Sequence, residues 1–191
     1  AQALQRFAEN WQLPVGNAFR FQDTFDNFHP LYAGDVGIGI NPKLAQRIKE
    51  SDLIIAIGPR LGEMTTSGYT LLEVPRPKQK LVHIHASAEE LNRVYHADLA
   101  ICATMNAAAR SLEVLDAPKD VPWQAWTAEA NADYVANMQP QKLPGDIDMP
   151  AIVGVIGKLL PDDAVLTNGA GNFSGWLHRF HKYRGLSHGH K

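Results

Sequence analysis

The feature that most constrains the fold of this chain is an uninterrupted apolar run, Leu53–Ile57, which ends in Gly58, Pro59 and Arg60. A strand that is apolar at every position has both faces covered, so this run predicts a central parallel strand in a sheet with helices on either side. Ligands of such sheets bind beyond the carboxyl ends of the strands, where the turn formed by Gly58 and Arg60 lies. Both residues are therefore candidates for a binding site.

The same pattern recurs along the chain. Further short β-prone runs span residues 14–18, 81–85, 99–102 and 164–167. Helices are predicted from the first residues to Trp11, from Asn41 through 49, from Ser87 to about Tyr95, and from Thr104 or Asn106 to about Leu115, whereas Phe19–Gly39 is predicted as a loop. This alternation predicts an α/β fold, a parallel Rossmann-like sheet flanked by helices.

The sequence opens on an amphipathic helix rather than on a strand. Its apolar face is formed by Leu4, Phe7, Ala8 and Trp11. In an alternating fold a helix normally follows a strand, so we expect the sheet to lack its first strand and the chain to be a piece of a longer protein.

Composition excludes several classes of function. The net charge of −2, with no Lys/Arg-rich run, gives no field that would attract nucleic acid. No apolar segment approaches membrane-spanning length, and no signal peptide is evident. The single cysteine, Cys102, lies in an apolar run, which excludes a disulfide framework and predicts a buried, inert thiol. We expect a soluble cytoplasmic protein.

The chain divides into three parts. Residues 1–115 form the central α/β domain, and 116–147 form a linker that contains a helix from Trp123 to Gln139. Residues 148–191 resume the alternation with an apolar helix, Pro150–Leu160, the strand 164–167, a loop and a helix that starts near Phe173. This last part is expected to be the truncated start of another α/β domain.

Several polar or glycine positions in the first part are candidate binding residues. The spacing Gly34-x-x-Gly37-x-Gly39 does not match the dinucleotide fingerprint, so these glycines either relax a loop or let the backbone approach a ligand. Arg60 could bind phosphate in two-pronged fashion or form a surface salt bridge. Ser87 could contact a ribose or phosphate, although a capping box with Glu90 explains it equally.

The loop Gly169–Asn172 joins the predicted last strand to a helix. Backbone N–H groups at such a helix start favour an anion, and the alternative is a tight turn in which Asn172 only caps the helix. Five histidines are weaker candidates for a functional site. His29 is predicted to be structural, and His178, His181, His188 and His190 are predicted to lie on a solvated surface rather than to bind metal.

Three stretches, taken in order, resemble a known family. His29–Gly37, Ser51–Arg60 and Leu81–Glu90 are similar to the central domain of thiamine-diphosphate-dependent enzymes of the acetolactate synthase and benzaldehyde lyase group. Ala164–Trp176 resembles the start of the pyrophosphate-binding domain of the same enzymes. The resemblance implies a six-stranded parallel Rossmann-like (DHS-like) sheet, here without its first strand.

The resemblance also implies binding residues. The central domain of this family binds FAD, ADP or nothing, and the matching positions are Gly34, Gly37, Gly58, Arg60, His85 and Ser87. Flavin-binding members tend to carry acidic residues where this chain has His85 and Ser87. Gly171, Asn172 and Phe173 match a stretch that approaches the cofactor diphosphate. Thiamine diphosphate and Mg²⁺ are implied for the full-length enzyme, and no cofactor is expected on this piece.

The function implied is that of an enzyme fragment. The full-length enzyme would make or break a carbon–carbon bond next to the carbonyl of a 2-oxo acid or aldehyde, as a homodimer or homotetramer. The fragment would be an inactive scaffold without catalytic residues or a metal site. The alternative is a stand-alone Rossmann-like nucleotide-binding or regulatory module. A deacetylase-like version of that module would need a zinc ribbon, which one cysteine cannot build.

Overall fold

The computed structural model describes residues 2–139 and 145–185. The strands are β1 (Val15–Ala18), β2 (Tyr32–Val36), β3 (Leu53–Ile57), β4 (Lys80–His85) and β5 (Leu99–Cys102). The helices are α1 (Gln2–Trp11), α2 (Pro42–Glu50), α3 (Met105–Glu113), α4 (Gln124–Asn137), α5 (Met149–Leu159) and α6 (Ser174–Phe180). Short 3-10 helices cover Gln22–Thr24 and Ala88–Glu90.

All pairings between the described strands are parallel, which confirms the predicted α/β, Rossmann-like class. β1 pairs with β2 in one sheet, and β3, β4 and β5 form a second sheet in that order. The expectation that the run Leu53–Ile57 is a central strand was wrong, because among the described residues β3 pairs only with β4. Of the residues in β3, only Ala56 is buried and Leu53 is 45% exposed, so an apolar run does not by itself place a strand in the middle of a sheet.

The predicted loop Phe19–Gly39 contains a strand, β2. Tyr32 and Ala33 are buried, but Gly34 and Asp35 follow them and interrupt the apolar pattern by which strands are recognised. Position 34 suits glycine because its φ is +120°, and a Cβ there would be in ordinary contact with Leu44 and Tyr134. The strand is therefore specified by its packing against α2 and α4 rather than by its own propensity.

Two predicted helix starts are confirmed and one predicted helix is absent. The side chain of Asn41 accepts a hydrogen bond from the Lys43 N–H at 3.1 Å and caps α2, and Thr104 caps α3 in the same way. The helix predicted from Ser87 to Tyr95 is wrong. Only the 3-10 turn Ala88–Glu90 forms there, and Ser87 makes no side-chain capping bond.

The helix of the predicted linker packs against the first part of the chain. Ala130 and Tyr134 of α4 are buried against β2 and α2, and the ring centroids of Tyr32 and Tyr134 lie 4.7 Å apart. At the start of α4, the Thr127 hydroxyl donates to the carbonyl oxygen of Gln12 at 2.9 Å. α4 thus completes the core beneath β2.

Two further predictions from the sequence are wrong. The run 164–167 forms no strand, and Val165 is 77% exposed. Cys102, predicted to be buried, is exposed, because it ends β5, which has a neighbour on one side only.

Candidate functional site

A cavity of about 120 Å³ lies beyond the carboxyl ends of β3 and β4. Its lining residues come from the turn after β3, from β4 and from the segment after β4; they are Arg60, Leu61, Gly62, Tyr69, His83, Glu90, Arg93, Val94 and Tyr95. This is the position where ligands of parallel α/β sheets bind. Of the residues predicted for the site, the structure places Arg60 in its wall.

The backbone conformation of Gly58 allows the turn that carries Arg60. Its φ is +86°, and its N–H donates to the Ile84 carbonyl oxygen at 2.8 Å, so the backbone leaves β3 while still tied to β4. A Cβ at this position would lie 2.6 Å from the Met105 sulfur. Gly58 therefore acts through the backbone and does not line the cavity.

Two arginines share one carboxylate at this cavity. Arg60 Nη2 donates to Glu90 Oε1 at 2.6 Å, and Arg93 Nη1 donates to the same oxygen at 2.8 Å. The Glu90 side chain is only 10% exposed, while those of Arg60 and Arg93 are 67% and 61% exposed. The hydrogen bond from Arg60 holds the pKa of Glu90 below its usual value, so the carboxylate stays ionised and the cluster carries a net positive charge.

The floor of the cavity is neutral. His83 is 2% exposed, and its Nε2 lies 3.0 Å from the Pro59 carbonyl oxygen, to which the neutral ring can donate. Burial lowers the pKa of His83, which favours the uncharged imidazole at pH 7. Tyr95, also 2% exposed, provides an aromatic wall. The site therefore combines an exposed cationic rim with a neutral interior that has one aromatic wall.

The structure does not bring His85 and Ser87 into this wall. The Ser87 N–H donates to His85 Nδ1 at 3.0 Å, so the two residues form a local turn. Conversely, sequence reasoning assigned Glu90 only as a capping partner and missed Arg93. The available signal was their spacing, because Glu and Arg three residues apart can pair on one helical face.

A second cavity of about 290 Å³ lies between β2, α4 and α6. Its lining includes Gly34 and Asn172, two of the predicted site residues, together with Asp35, Tyr134 and His178. Burial raises the pKa of Asp35 to about 7. Gly37 lies outside this lining, and a Cβ there would lie 2.8 Å from that of Phe19. The predicted glycine group is therefore distributed between this cavity and the packing around it.

The loop predicted to approach a diphosphate is largely open to solvent. Phe173 is 56% exposed, and the Phe173 ring lies over Gly171, where a Cβ would approach it to 2.9 Å. In residues 2–139 and 145–185 no group of three His, Cys, Asp or Glu side chains could hold a metal ion. The diphosphate contact of Gly171, Asn172 and Phe173 stays a prediction.

His29 differs in its surroundings from His178 and His181. His29 is structural, as predicted: its Nε2 lies 3.0 Å from Glu9 Oε1, and its Nδ1 accepts from the Leu31 N–H at 3.2 Å. His178 and His181 are half-buried rather than solvated, and burial lowers the pKa of both. His188 and His190 lie outside the described residues.

Among the described helices, none has the length and apolar character needed to cross a lipid bilayer. The open parallel α/β fold, with a crevice at the carboxyl ends of its strands, defines the chain as a Rossmann-like domain. The particular family follows from comparison with known proteins. Residues 1–112 match the model of the thiamine pyrophosphate enzyme central domain. The chain belongs to this family, which confirms the resemblance identified from the sequence.

Two relatives extend the similarity beyond the central domain. The chain is 26% identical over 206 residues to a 3D-(3,5/4)-trihydroxycyclohexane-1,2-dione hydrolase of Bacillus cereus (strain AH820), covering 94% of this chain and 32% of that protein. It is 24% identical over 190 residues to an acetolactate synthase of Mycobacterium avium, covering 96% of this chain and 30% of that protein. The chain thus spans about a third of the length of these relatives.

Proposed function

We propose that this chain is part of a longer thiamine-diphosphate-dependent enzyme that makes or breaks a carbon–carbon bond next to the carbonyl of a 2-oxo acid or aldehyde. Family membership and the similarity to an acetolactate synthase support this proposal. Thiamine diphosphate, when bound in the longer protein, supplies the electron sink for such chemistry. The 191 residues act as a scaffold and are inactive alone. The cytoplasmic location and the homodimer or homotetramer are predictions for the longer protein.

Within this scaffold, the crevice at the ends of β3 and β4 binds the diphosphate of an adenine nucleotide, either ADP or FAD. The observation that carries this proposal is the pair of exposed guanidiniums, Arg60 and Arg93, at the rim of a cavity with an aromatic and neutral interior. Guanidinium groups match phosphate oxygens in pairs, and the aromatic wall formed by Tyr95 suits a ring system. His85, Ser87, Gly34 and Gly37 are retained only as candidates for more distant contacts.

Calorimetric titration of the purified chain with ADP, FAD, NAD and thiamine diphosphate tests the nucleotide proposal. We expect ADP or FAD to bind more tightly than NAD and thiamine diphosphate. Tight binding of NAD alone would instead favour the stand-alone nucleotide-binding module. No heat with ADP or FAD, in a chain shown to be folded by circular dichroism, would overturn the assignment of the crevice.

Arg60→Ala provides the residue-level test. Loss of one charged contact is expected to weaken ADP or FAD binding about tenfold, which corresponds to about 1.4 kcal/mol. Arg76→Ala is the matched control, because Arg76 is exposed in the segment before β4 and does not line the cavity. Equal affinity of the Arg60 variant and the wild-type chain would remove Arg60 from the site.

The scaffold proposal has its own test. The chain supplied with thiamine diphosphate, Mg²⁺ and pyruvate as a representative 2-oxo acid is expected to consume no pyruvate above the rate without protein. Sustained consumption that scales with protein concentration would show that the piece is catalytic and would contradict the proposal.

A further inference from the structure

We infer that Glu90 is a positioning residue that aligns Arg60 and Arg93 for a single diphosphate group, and that Arg93 is the second phosphate-binding side chain. This inference rests on the proposed function, because it concerns the same crevice. It goes further by assigning a positioning role to Glu90, through which the two arginines discriminate diphosphate from monophosphate.

The carboxylate of Glu90 and the two guanidiniums that bind it differ in solvent exposure. Glu90 is 10% exposed and lies behind the guanidiniums, which are 67% and 61% exposed. Both arginines donate to Oε1, and each uses one nitrogen to do so. A guanidinium has five N–H donors in a fixed fork, so both residues keep donors that Glu90 does not use. The exposed guanidiniums, and not the carboxylate, are therefore the groups that a ligand can reach.

Sharing one oxygen also fixes the distance between the two cations. Without the carboxylate, two long and flexible side chains of like charge would repel each other and sample many rotamers. With it, they are held side by side before any ligand arrives, which reduces the ordering cost of binding. Two adjacent guanidiniums suit two linked phosphoryl groups, since each can take one, whereas a single phosphate has fewer oxygens to divide between them.

Glu90→Gln has two opposite effects on anion affinity, one from the lost carboxylate charge and one from the lost alignment of the two arginines. Removing the carboxylate charge makes the site more positive, which strengthens the binding of any anion. Losing the alignment weakens only those ligands that need both arginines. The informative quantity is therefore the ratio of the phosphate Kd to the pyrophosphate Kd. Pyrophosphate carries more negative charge than phosphate, so loss of the carboxylate charge alone would raise this ratio, whereas loss of the alignment lowers it.

The experiment measures this ratio by calorimetry for the wild-type chain, Glu90→Gln and the charge-matched control Glu89→Gln, whose side chain is exposed next to the site. We expect the wild-type chain and the Glu89 variant to prefer pyrophosphate at least tenfold, and Glu90→Gln to lose about tenfold of that preference. An unchanged ratio in Glu90→Gln would overturn the positioning role.

Arg93→Gln tests the second phosphate contact and does not depend on the Glu90 variant being folded. It is expected to lower pyrophosphate affinity about tenfold while changing phosphate affinity less than threefold. The Nε–H NMR signals of Arg60 and Arg93 give a readout independent of stability: they should report restricted side chains in the wild-type chain and mobile ones in Glu90→Gln. Equal mobility in both proteins would contradict the inference.

Failure of the two proposals can be told apart. A wild-type chain that binds pyrophosphate but neither ADP nor FAD overturns the nucleotide proposal and leaves the diphosphate site standing. A wild-type chain that binds neither pyrophosphate nor ADP overturns both.

Discussion

Gly58, in the turn that carries Arg60, leaves little room for a side chain. Its φ of +86° is rarely adopted by L residues, and a Cβ would lie 2.6 Å from the Met105 sulfur on α3. We expect Gly58→Ala to lower the free energy of unfolding by about 2–4 kcal/mol, which combines backbone strain with overpacking. Urea denaturation followed by circular dichroism measures the change.

Gly39→Ala separates the two causes. Gly39 has a φ of +77°, but no heavy atom lies within 4 Å of a Cβ built there. This variant should therefore lose only the strain contribution, about 1–2 kcal/mol. If both alanine variants lose the same stability, contact with Met105 contributes nothing.

Asp35 makes the stability of the fold dependent on pH. Burial raises its pKa from the ordinary 3.8 to about 7, so as pH rises from about 4 to 7 the unfolded chain releases this proton before the folded chain does. Rising pH therefore destabilises the fold across this window, and the penalty is complete above pH 7. Asp35→Asn cannot ionise and escapes the penalty.

The difference in unfolding free energy between Asp35→Asn and wild type is the quantity to measure, because other titrating groups cancel from it. We expect this difference to move in favour of the variant by about 2–3 kcal/mol between pH 5 and pH 8. A difference that is constant over this range would show that Asp35 is ionised in the folded chain at pH 5.

At the scale of elements, ion pairs fasten α2 to α4. Asp133 on α4 accepts hydrogen bonds from Lys43 Nζ at 2.7 Å and from Arg47 Nη2 at 2.7 Å, and the side chains of Asp133 and Arg47 are each 16% exposed. We expect Asp133→Asn to lower the free energy of unfolding by about 1–2 kcal/mol, because it leaves Arg47 partly buried without its carboxylate.

Glu129→Gln is the control for this pair. Glu129 also faces Arg47 from α4, but at 3.4 Å and with its side chain 66% exposed. A solvated pair of this kind contributes little, so the change should stay below about 0.5 kcal/mol. A loss as large as that of Asp133→Asn would mean that net charge, rather than the buried pair, controls the docking of α4.

Elements that depend on residues close to them along the chain were predicted correctly from the sequence. The cap of α2 lies within three residues of the helix it starts, and the apolar run of β3 identifies that strand by itself. The capping box at Ser87 failed because Glu90 is engaged by Arg60, thirty residues away along the chain. The strand predicted at 164–167 failed because β propensity does not report whether a segment lies against a sheet edge.

The residues of the candidate site were likewise predictable only where a local pattern identifies them. Arg60 was identified because it follows a strand directly, and the carboxyl end of a parallel strand has a known role. Arg93 was missed because the segment after β4 folds as turns rather than as the predicted helix, so its distance from Arg60 could not be inferred from spacing. The shared carboxylate is a tertiary contact.

At the scale of the whole molecule, the core of the central domain extends beyond residue 115. Ala130 and Tyr134 of α4 cover β2, and the Trp123 Nε1–H donates to the Trp11 carbonyl oxygen at 2.9 Å. We expect a chain shortened after residue 115 to lose more than about 3 kcal/mol of stability, since the loss of one large buried side chain alone costs that much. Chemical denaturation and binding of a hydrophobic dye measure this effect.

A chain shortened after residue 139 retains α4 and serves as the comparison. It should unfold in a single transition and bind little dye. If the shorter chain ending at 115 behaves identically, α4 is a passive linker, and the assignment of residues 116–147 to a linker gains support.

The position of Cys102 has a practical consequence for anyone handling the protein. Its thiol is accessible at the end of β5, and the chain carries only one cysteine. Air oxidation can therefore join two copies through one covalent bond and produce an artefactual dimer in gel filtration, so purification needs a reductant. The same thiol accepts a maleimide dye at a single defined position.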